Sequence, residues 1–442
     1  MQFKTKLLLS AVAVASTLSA SAVMAQAKEQ FIGIPSYRVG PYAAGGSGIF
    51  GGWIDYMQLI NEQGGVNGVK LTWEECETEY NNARGVECYE RLKKKGASGN
   101  SVFQPLSTGI TYAVLDKVAQ DKIPMVTIGY GRTDAGDGRV FPWVFPMLTN
   151  YWSQNTAKIK FIGQREGGMD KLKGKKIVHI YHDSAYGKET IPLLDAQSKK
   201  YGFSVTHVPV AHPGNEQQSQ WLKVRQEKPD WVILRGWGVM NPTAIKAAAK
   251  IGFPRDKIVG VWWAGAEEDT IPAGDAAKGF IAAGFNVAGA NYPVVKSIQD
   301  NVYKKNKGNM EDKARIGSVY YNRGVVHGII TVEAIRTAQA KYGKGQVMTG
   351  EQMRWGFENL NIDAKRLKEL GAEGFMPDLK VTCLDHEGSG KVKFQQWDGK
   401  QWKVISDWID ADKELVRPMI EESAAKYAKE KGITPRDCSK EG

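Results

Sequence analysis

"FIGIPSYRVGPYAAGGSGIFGGWIDYMQLINEQGGVNGVKLTWEECE", residues 31–77, is the stretch on which the fold turns. Apolar runs rich in β-branched and aromatic residues stand at its two ends ("FIGIPSY" from 31, "VKLTWEE" from 69), and residues 51–63 between them carry helical periodicity. Strand, helix, strand at this spacing reads as a βαβ unit with parallel strands. Inside it Gly46, Gly48 and Gly51 spell G-x-G-x-x-G, and Glu75 and Glu77 close the second run, which is the outline of a dinucleotide-binding fingerprint. The spacing argues against that function. The fingerprint sets its first glycine directly after the strand, so that a pyrophosphate meets the helix N-terminus, whereas here the eight residues "RVGPYAAG" intervene. Two roles are left for the glycines: letting the loop turn, or baring backbone N–H groups that can accept a carboxylate at a helix N-terminus.

The same alternation continues outward. Further strand-like runs begin at 100 ("NSVFQ"), 123 ("IPMVTIG") and 141 ("FPWVFPM"), with a helical segment at 82–95, and a second series begins at 176 ("KIVHIYH"), 203 ("FSVTHVPV"), 230 ("DWVILRGW"), 257 ("KIVGVWWAG") and 279 ("GFIAAGF"). A β-α-β-α order predicts mostly parallel sheets with helices on both faces. At 442 residues the chain exceeds the size at which one core keeps growing, so two α/β lobes in tandem are expected. After 290 the pattern is mostly helical through Ala338, with a further helix at 350–360. "VTCLDHEGSGKVKFQQWDGKQWKVISDW" then reads as strands joined at Asp398-Gly399, a tight-turn pair.

"MQFKTKLLLSAVAVASTLSASAVMA", residues 1–25, has lysines at 4 and 6, an apolar run from Leu7 and small residues up to Ala25, the pattern of an export signal cleaved after Ala25. No cysteine lies near that junction to suggest a lipid anchor, and no later apolar run approaches the roughly 20 residues that span a bilayer. A periplasmic location follows for a bacterial chain. Removing the leader lowers the formal charge from +11 to +9, a surplus that serves solubility and encounter with anions; no lysine cluster, "KKK" at 93–95 included, points to nucleic acid. The four cysteines suit an oxidising compartment. They allow three connectivities; pairing within Cys76/Cys88 and within Cys383/Cys438 is expected.

The leader, "GPYAAGGSG" (40–48), "INEQGGVNGVKL" (60–71), "QPLSTGITYAV" (104–114), "IPMVTIGYG" (123–131), "YHDSAYGKE" (181–189) and "WWAGAEED" (262–269) resemble, in order, the solute-binding proteins of ABC transporters of the branched-chain amino acid (leucine-binding) type. The resemblance covers nearly the whole mature chain. It implies an α/β fold of two doubly wound lobes joined by three crossings, the type I periplasmic binding protein, with crossings near Thr149, Phe285 and Val381. Lobe 1 is then 26–148 with 286–380, and lobe 2 is 149–285 with 381–442 and the C-terminal hairpin. It also implies capture of a small molecule by hinged closure, an inner-membrane ABC permease as partner, a monomer, and no cofactor.

Candidate ligand-binding residues lie where open α/β sheets hold ligands, at the C-terminal ends of strands. Ser107 and Thr108 end a strand and open a helix; the resemblance makes this the carboxylate-binding turn, while a helix N-cap is the structural alternative. Gly129 and Tyr130, in "GYG", match the next ligand-contacting strand end, although Pro105 and Leu106 stand where family members often carry small hydroxyl residues. Tyr186 in "SAYG" and Trp237 in "RGWG" match the family's aromatic contacts in lobe 2, or else cover an end of the sheet. Glu267 lies close to the acidic position that holds an α-ammonium in amino-acid binders, with Ala266 and Glu268 competing for that register. Most of the thirteen tryptophans belong in the core, but Tyr42, Tyr130, Trp152, Tyr186, Trp237 and Trp263 fall at loops or strand ends facing the cleft. Flat aromatic walls favour a ring, so a hydrophobic or aromatic carboxylate rivals a small amino acid as ligand. His386, beside the third crossing, is read as hinge packing ahead of a ligand contact.

An enzyme is the alternative class. His179 and His182 form H-x-x-H, but on a strand they point to opposite faces and no nearby Cys or His completes a metal set. No G-x-S-x-G elbow occurs, and "GGMDKLKGKK" fails the phosphate-loop pattern because Gly168 and Gly174 are one residue too far apart and no Ser or Thr follows the lysine. A binding protein without catalysis or metal is the expectation, with a ligand-sensing partner of a membrane receptor, and behind it a periplasmic hydrolase, as alternatives.

Overall fold

Strand β1 (Glu29–Ser36) lies parallel to β2 (Lys70–Glu77), Glu29 opposite Lys70 and Ser36 opposite Glu77, with helix α1 (Ala43–Glu62) crossing between them. This is the computed structural model of the chain; it describes residues 28–440, so the leader and its cleavage after Ala25 lie outside the described residues. Helices α2 (Asn82–Leu92) and α3 (Thr108–Asp121) follow, then β3 (Met125–Val126) and β4 (Val144–Phe145), paired in parallel. The strand expected from 100 shrinks to parallel bridges from Phe103 to Gly33 and Met125. Pro105 has no N–H to continue a ladder and Leu106 takes φ +45°, so the chain leaves the sheet at once.

A second sheet is built from β5 (Lys176–His182), β6 (Ser204–Val210), β7 (Trp231–Arg235), β8 (Ile258–Gly260) and β9 (Ile281–Gly284), all parallel in the order β9-β8-β7-β5-β6. Helix α4 (Tyr151–Glu166) precedes it, and α5 (Ala185–Lys188), α6 (Ile191–Tyr201), α7 (Gln218–Glu227), α8 (Met240–Lys250) and α9 (Glu267–Thr270) connect its strands. The chain then returns through α10 (Pro293–Asn301), α11 (Val319–Tyr342), α12 (Gly350–Glu358), β10 (Asn361–Ile362), α13 (Ala364–Glu369) and β11 (Leu379–Lys380). Strand β12 (Lys391–Trp397) joins β9 antiparallel and pairs with β13 (Trp402–Val404) and β14 (Ile409–Asp410). The β12–β13 hairpin turns at Asp398-Gly399 as expected: the Asp398 carboxylate accepts from the Lys400 and Gln401 N–H groups, and Gly399 has φ +106°.

The last helix, α14 (Lys413–Lys431), touches both halves of the molecule. Val416 and Ile420 pack on Trp152 and Leu193, while Ala424, Tyr427 and Ala428 join Val114, Val118 and Phe141. Disulfides form between Cys76 and Cys88 and between Cys383 and Cys438, the two expected couples.

Helix α1 begins at Ala43, eight residues before the periodicity at 51 suggests, so Gly46, Gly48 and Gly51 lie inside a helix and not in a turning loop. The cause is tertiary. A Cβ on Gly52 would sit 2.0 Å from the Tyr321 carbonyl oxygen of α11, and one on Gly324 would sit 1.9 Å from the Ile49 oxygen of α1. Bare backbone lets the two helices approach closely, and the burial of Ile49, Phe50, Trp53, Val325 and Ile329 offsets a propensity penalty of about 1 kcal/mol per glycine. This packing sets Tyr42 and Tyr320, at the N-terminal ends of the two helices, beside the second sheet.

Candidate functional site

A cavity of ≈ 180 Å³ lies where the C-terminal ends of both sheets meet. Tyr80, Asn82, Ser107 and Gly109 come from the elements of the first sheet, and His182, Ser184, Ala185, Tyr186, His212 and Trp237 from those of the second. Of the residues singled out from sequence, Ser107, Tyr186 and Trp237 line it, and Tyr42 backs its aromatic wall, stacked on Trp237 with ring centroids 5.7 Å apart and planes 7° from parallel. Gly45 enables that wall, because a Cβ there would meet the Trp237 ring at 2.8 Å.

Ser107 fills the N-cap role read for it and also lines the cavity. It is the N-cap of α3, accepting the Ile110 N–H at 3.4 Å, and its hydroxyl also pairs with Tyr80 at the cavity wall. Thr108 is fully buried and accepts the Gly131 N–H at 3.1 Å, holding the strand end that carries Gly129 and Tyr130. The Gly129 carbonyl accepts the indole N–H groups of Trp262 (2.8 Å) and Trp263 (2.5 Å), the Tyr130 ring stacks on Trp263 at 4.4 Å, and the Tyr130 hydroxyl meets that of Tyr37 at 2.8 Å. Gly129 and Tyr130 thus join the two halves beside the cavity without lining it. Tyr186 donates to the Gly236 carbonyl at 2.9 Å, which fixes its ring against the cavity.

Glu267 lies elsewhere. Its carboxylate accepts the Val319 N–H at 2.9 Å, capping α11, and it is absent from the cavity lining. Glu268 pairs with Arg315 at 3.2 Å, and burial, then the charge of Glu267, pushes its carboxyl up to about 8. Asp269 accepts from Asn241 (2.7 Å), the Ala266 N–H (2.9 Å) and the Tyr320 hydroxyl (2.9 Å), and burial raises it to about 7. Among the described residues, no carboxylate lines the cavity.

Tyr80, His182 and His212 also line the cavity; Tyr80 and His212 sit in segments without a strand signal, and His182 carries no sequence signal beyond H-x-x-H. The Tyr42 hydroxyl bonds to His182 Nε2 (3.0 Å) and to His212 Nδ1. Burial, and then the adjacent His212, hold the His182 imidazole down to about 4, so it is neutral near pH 7. Arg235 lies behind Tyr186, its guanidinium 3.9 Å from the Tyr151 ring centroid and 4.5 Å from that of Tyr186, donating twice to the Tyr186 carbonyl. The half-buried Glu189 carboxylate, raised by desolvation, bridges to the Thr133 N–H (2.6 Å) and the Tyr112 hydroxyl (3.3 Å) across the same interface. His386 is buried, stacked on Phe145 and bonded to the Val144 carbonyl at 2.8 Å. Among the described residues, no group of three or more His, Cys, Asp or Glu is placed to hold a metal ion, and no helix is long and apolar enough to cross a membrane.

Polar groups and aromatic rings from the elements of two sheets line one small cavity, the composition of a small-molecule site. A family model described as periplasmic binding protein matches residues 29–401. A solved structure from the Pseudomonas fluorescens group, described as an ABC transporter permease, is 49% identical and covers 93% of this chain and 100% of that one, with a TM-score of 0.88. A branched-chain amino acid ABC transporter protein from Thermus thermophilus with bound valine, 19% identical, covers 89% of this chain and 98% of its own with a TM-score of 0.74, which shows the shared fold. A Leu/Ile/Val-binding protein homolog from Brucella melitensis is 26% identical over 232 residues, 52% of this chain. The match spans 60% of the length of that curated relative.

Proposed function

The chain belongs to the periplasmic binding protein family, with its type I fold, and on that premise we propose that it captures a small carboxylate without an amino group, aromatic or otherwise hydrophobic, and presents it to an inner-membrane ABC permease. The leader is removed after Ala25, the mature protein works in the periplasm as a monomer, and no chemistry is done on the ligand. Lobe 1 (26–148 and 286–380) and lobe 2 (149–285 and 381–442) close around the molecule. A ligand that touches both lobes only when they are closed shifts the hinge equilibrium by its contact energy, and the closed form is what the permease reads.

The observation that carries the ligand class is the lining of the cavity. Its ≈ 180 Å³ lies below the roughly 300–1,000 Å³ of drug-sized sites, so the ligand is small. Tyr80, Tyr186 and Trp237 offer flat walls, and Ser107, Asn82 and the buried, unpartnered Trp237 indole N–H offer donors. The Arg235 charge behind Tyr186 favours an anion. A buried ammonium, in contrast, needs an opposite charge, and among the described residues no lining carboxylate supplies one.

A thermal-shift panel tests this on protein unfolded and refolded to strip carried-over ligand. At about 1,000 times its dissociation constant a true ligand adds about 4 kcal/mol of stability, a shift of several degrees. Benzoate-like and short hydrophobic acids are expected to raise the melting temperature while leucine and valine do not. A shift with the amino acids alone refutes the ligand class and directs attention to Asp269, one hydrogen bond behind Tyr320.

A further inference from the structure

We propose that Tyr42, His182 and His212 form a site for one divalent transition-metal ion of the zinc or copper kind, held between the lobes at the border of the cavity. His182 Nε2 and His212 Nδ1 lie 3.1 Å apart, and the Tyr42 oxygen is within hydrogen-bond reach of both, 3.0 Å from Nε2. Nitrogen ligands about 2.0–2.1 Å from a tetrahedral zinc ion stand roughly 3.3 Å from each other, close to the observed spacing.

Hydrogen bonds serve this triangle only in part: a ring nitrogen that carries a proton no longer accepts, so at most two of the three contacts hold a hydrogen at once, as when the Tyr42 hydroxyl donates to His212 Nδ1 and accepts from His182 Nε2, and the two nitrogens 3.1 Å apart then face each other without a hydrogen of their own. A single cation at the centre serves all three lone pairs together. His182 Nδ1 lies 2.9 Å from the Ser184 hydroxyl, the outer partner that orients a ligating imidazole and fixes its tautomer. Imidazole and phenol donors select zinc or copper ahead of magnesium or calcium. His212 is exposed, which gives the ion a route from solvent, and the fourth position of a tetrahedral ion is left to water or to an oxygen of the captured acid.

The other histidine pair provides the contrast. His179 and His207 are cross-strand partners with Nδ1 atoms 3.0 Å apart; among the described residues no third side chain is bonded to both nitrogens, and the remaining nitrogen of His207 turns to Asp195 at 3.1 Å. His207 is therefore the control position.

The site borders the proposed ligand cavity, but its test uses metal alone, so it stands or falls separately from the ligand class. Tag-free, chelator-stripped protein is titrated with zinc by calorimetry. One ion per chain is expected to bind, with His182→Gln and His212→Gln each weakening it at least about tenfold, Tyr42→Phe weakening it measurably, and His207→Gln leaving it unchanged. Tyr42→Phe keeps the stack on Trp237, so a loss there does not reflect a collapsed wall. Cobalt(II) uptake by the unmutated protein gives a second reading, with the intense visible bands of a four-coordinate ion expected. No saturable uptake at one equivalent, uptake indifferent to the two histidine variants, loss in His207→Gln equal to theirs, or the weak bands of an octahedral cobalt ion overturns the proposal.

Discussion

Replacing Gly52 with alanine tests the packing that sets up the cleft, and its neighbour Gly51 supplies a matched control. Both lie in the interior of α1, so the helix-propensity gain of about 1 kcal/mol is common to the two substitutions. Their surroundings differ. A Cβ at 52 would stand 2.0 Å from the Tyr321 carbonyl oxygen and 2.9 Å from its carbon, main-chain atoms of α11 that no rotamer can move. It is about 1 Å short of the tightest contact side chains make, so α1 and α11 must part. Overpacking of this kind costs up to about 3 kcal/mol, leaving a net loss of about 2 kcal/mol after the propensity gain. A Cβ at 51 meets the Met310 sulfur at 2.2 Å, the far end of a flexible side chain that can rotate away. Gly51→Ala is expected to stay within about 1 kcal/mol of the parent. Urea unfolding of the parent and both variants measures the difference, and ligand affinity follows it, because Tyr42 and Tyr320 ride on these helices. Equal stability of the two variants, or a Gly52→Ala protein as stable as the parent, refutes the claim that backbone contact is why these glycines are there.

Two further expectations concern charge and covalent links. Glu268 has its carboxyl pushed up to about 8 by burial and by Glu267, against an ordinary value of 4.5. Between those values the folded state holds a proton that the unfolded chain has released, so Glu268 makes stability fall as pH rises through that window, by up to about 1.4 kcal/mol per pH unit, and level off above it. Glu268→Gln keeps a neutral side chain in place and is expected to make the urea-midpoint profile less steep between pH 5 and 8, the raised Asp269 keeping its own share; an unchanged slope refutes the assignment. The two disulfides should differ in worth: Cys383–Cys438 closes a separation of 55 residues and Cys76–Cys88 one of 12, which on the chain-entropy estimate means about 4 against about 3 kcal/mol. Paired serine variants read by denaturant melts check the order, and a larger loss for the shorter loop contradicts it.

Part of the candidate site was legible because those residues sit at strand ends, where local pattern and backbone geometry coincide. Ser107, Tyr186 and Trp237 each follow a run of apolar residues directly or within a few positions, and the structure gathers them at one cavity. Glu267 was not legible in the same way. Three consecutive acidic residues follow Ala266, and only the approach of α11 assigns Glu267 to the Val319 N–H, Glu268 to Arg315 and Asp269 to Tyr320. His212 and Tyr80 escaped notice because loops carry no periodicity to mark which way a side chain is turned.

Local information sufficed for the alternating strands and helices, the mostly parallel sheets and the Asp398-Gly399 hairpin, since each depends on side-chain period or turn chemistry; of the three connectivities open to four cysteines, the fold selects Cys76–Cys88 and Cys383–Cys438. The start of α1, the burial of its glycines, the reduction of the third strand to Phe103 and the meeting of Tyr42 with His182 and His212 were decided in three dimensions. Each arises where segments far apart in sequence press together, as α1 does with α11 and Tyr42 with residues 140 and 170 positions away. Packing energy there exceeds the local preferences of the chain, and sequence period carries no record of it.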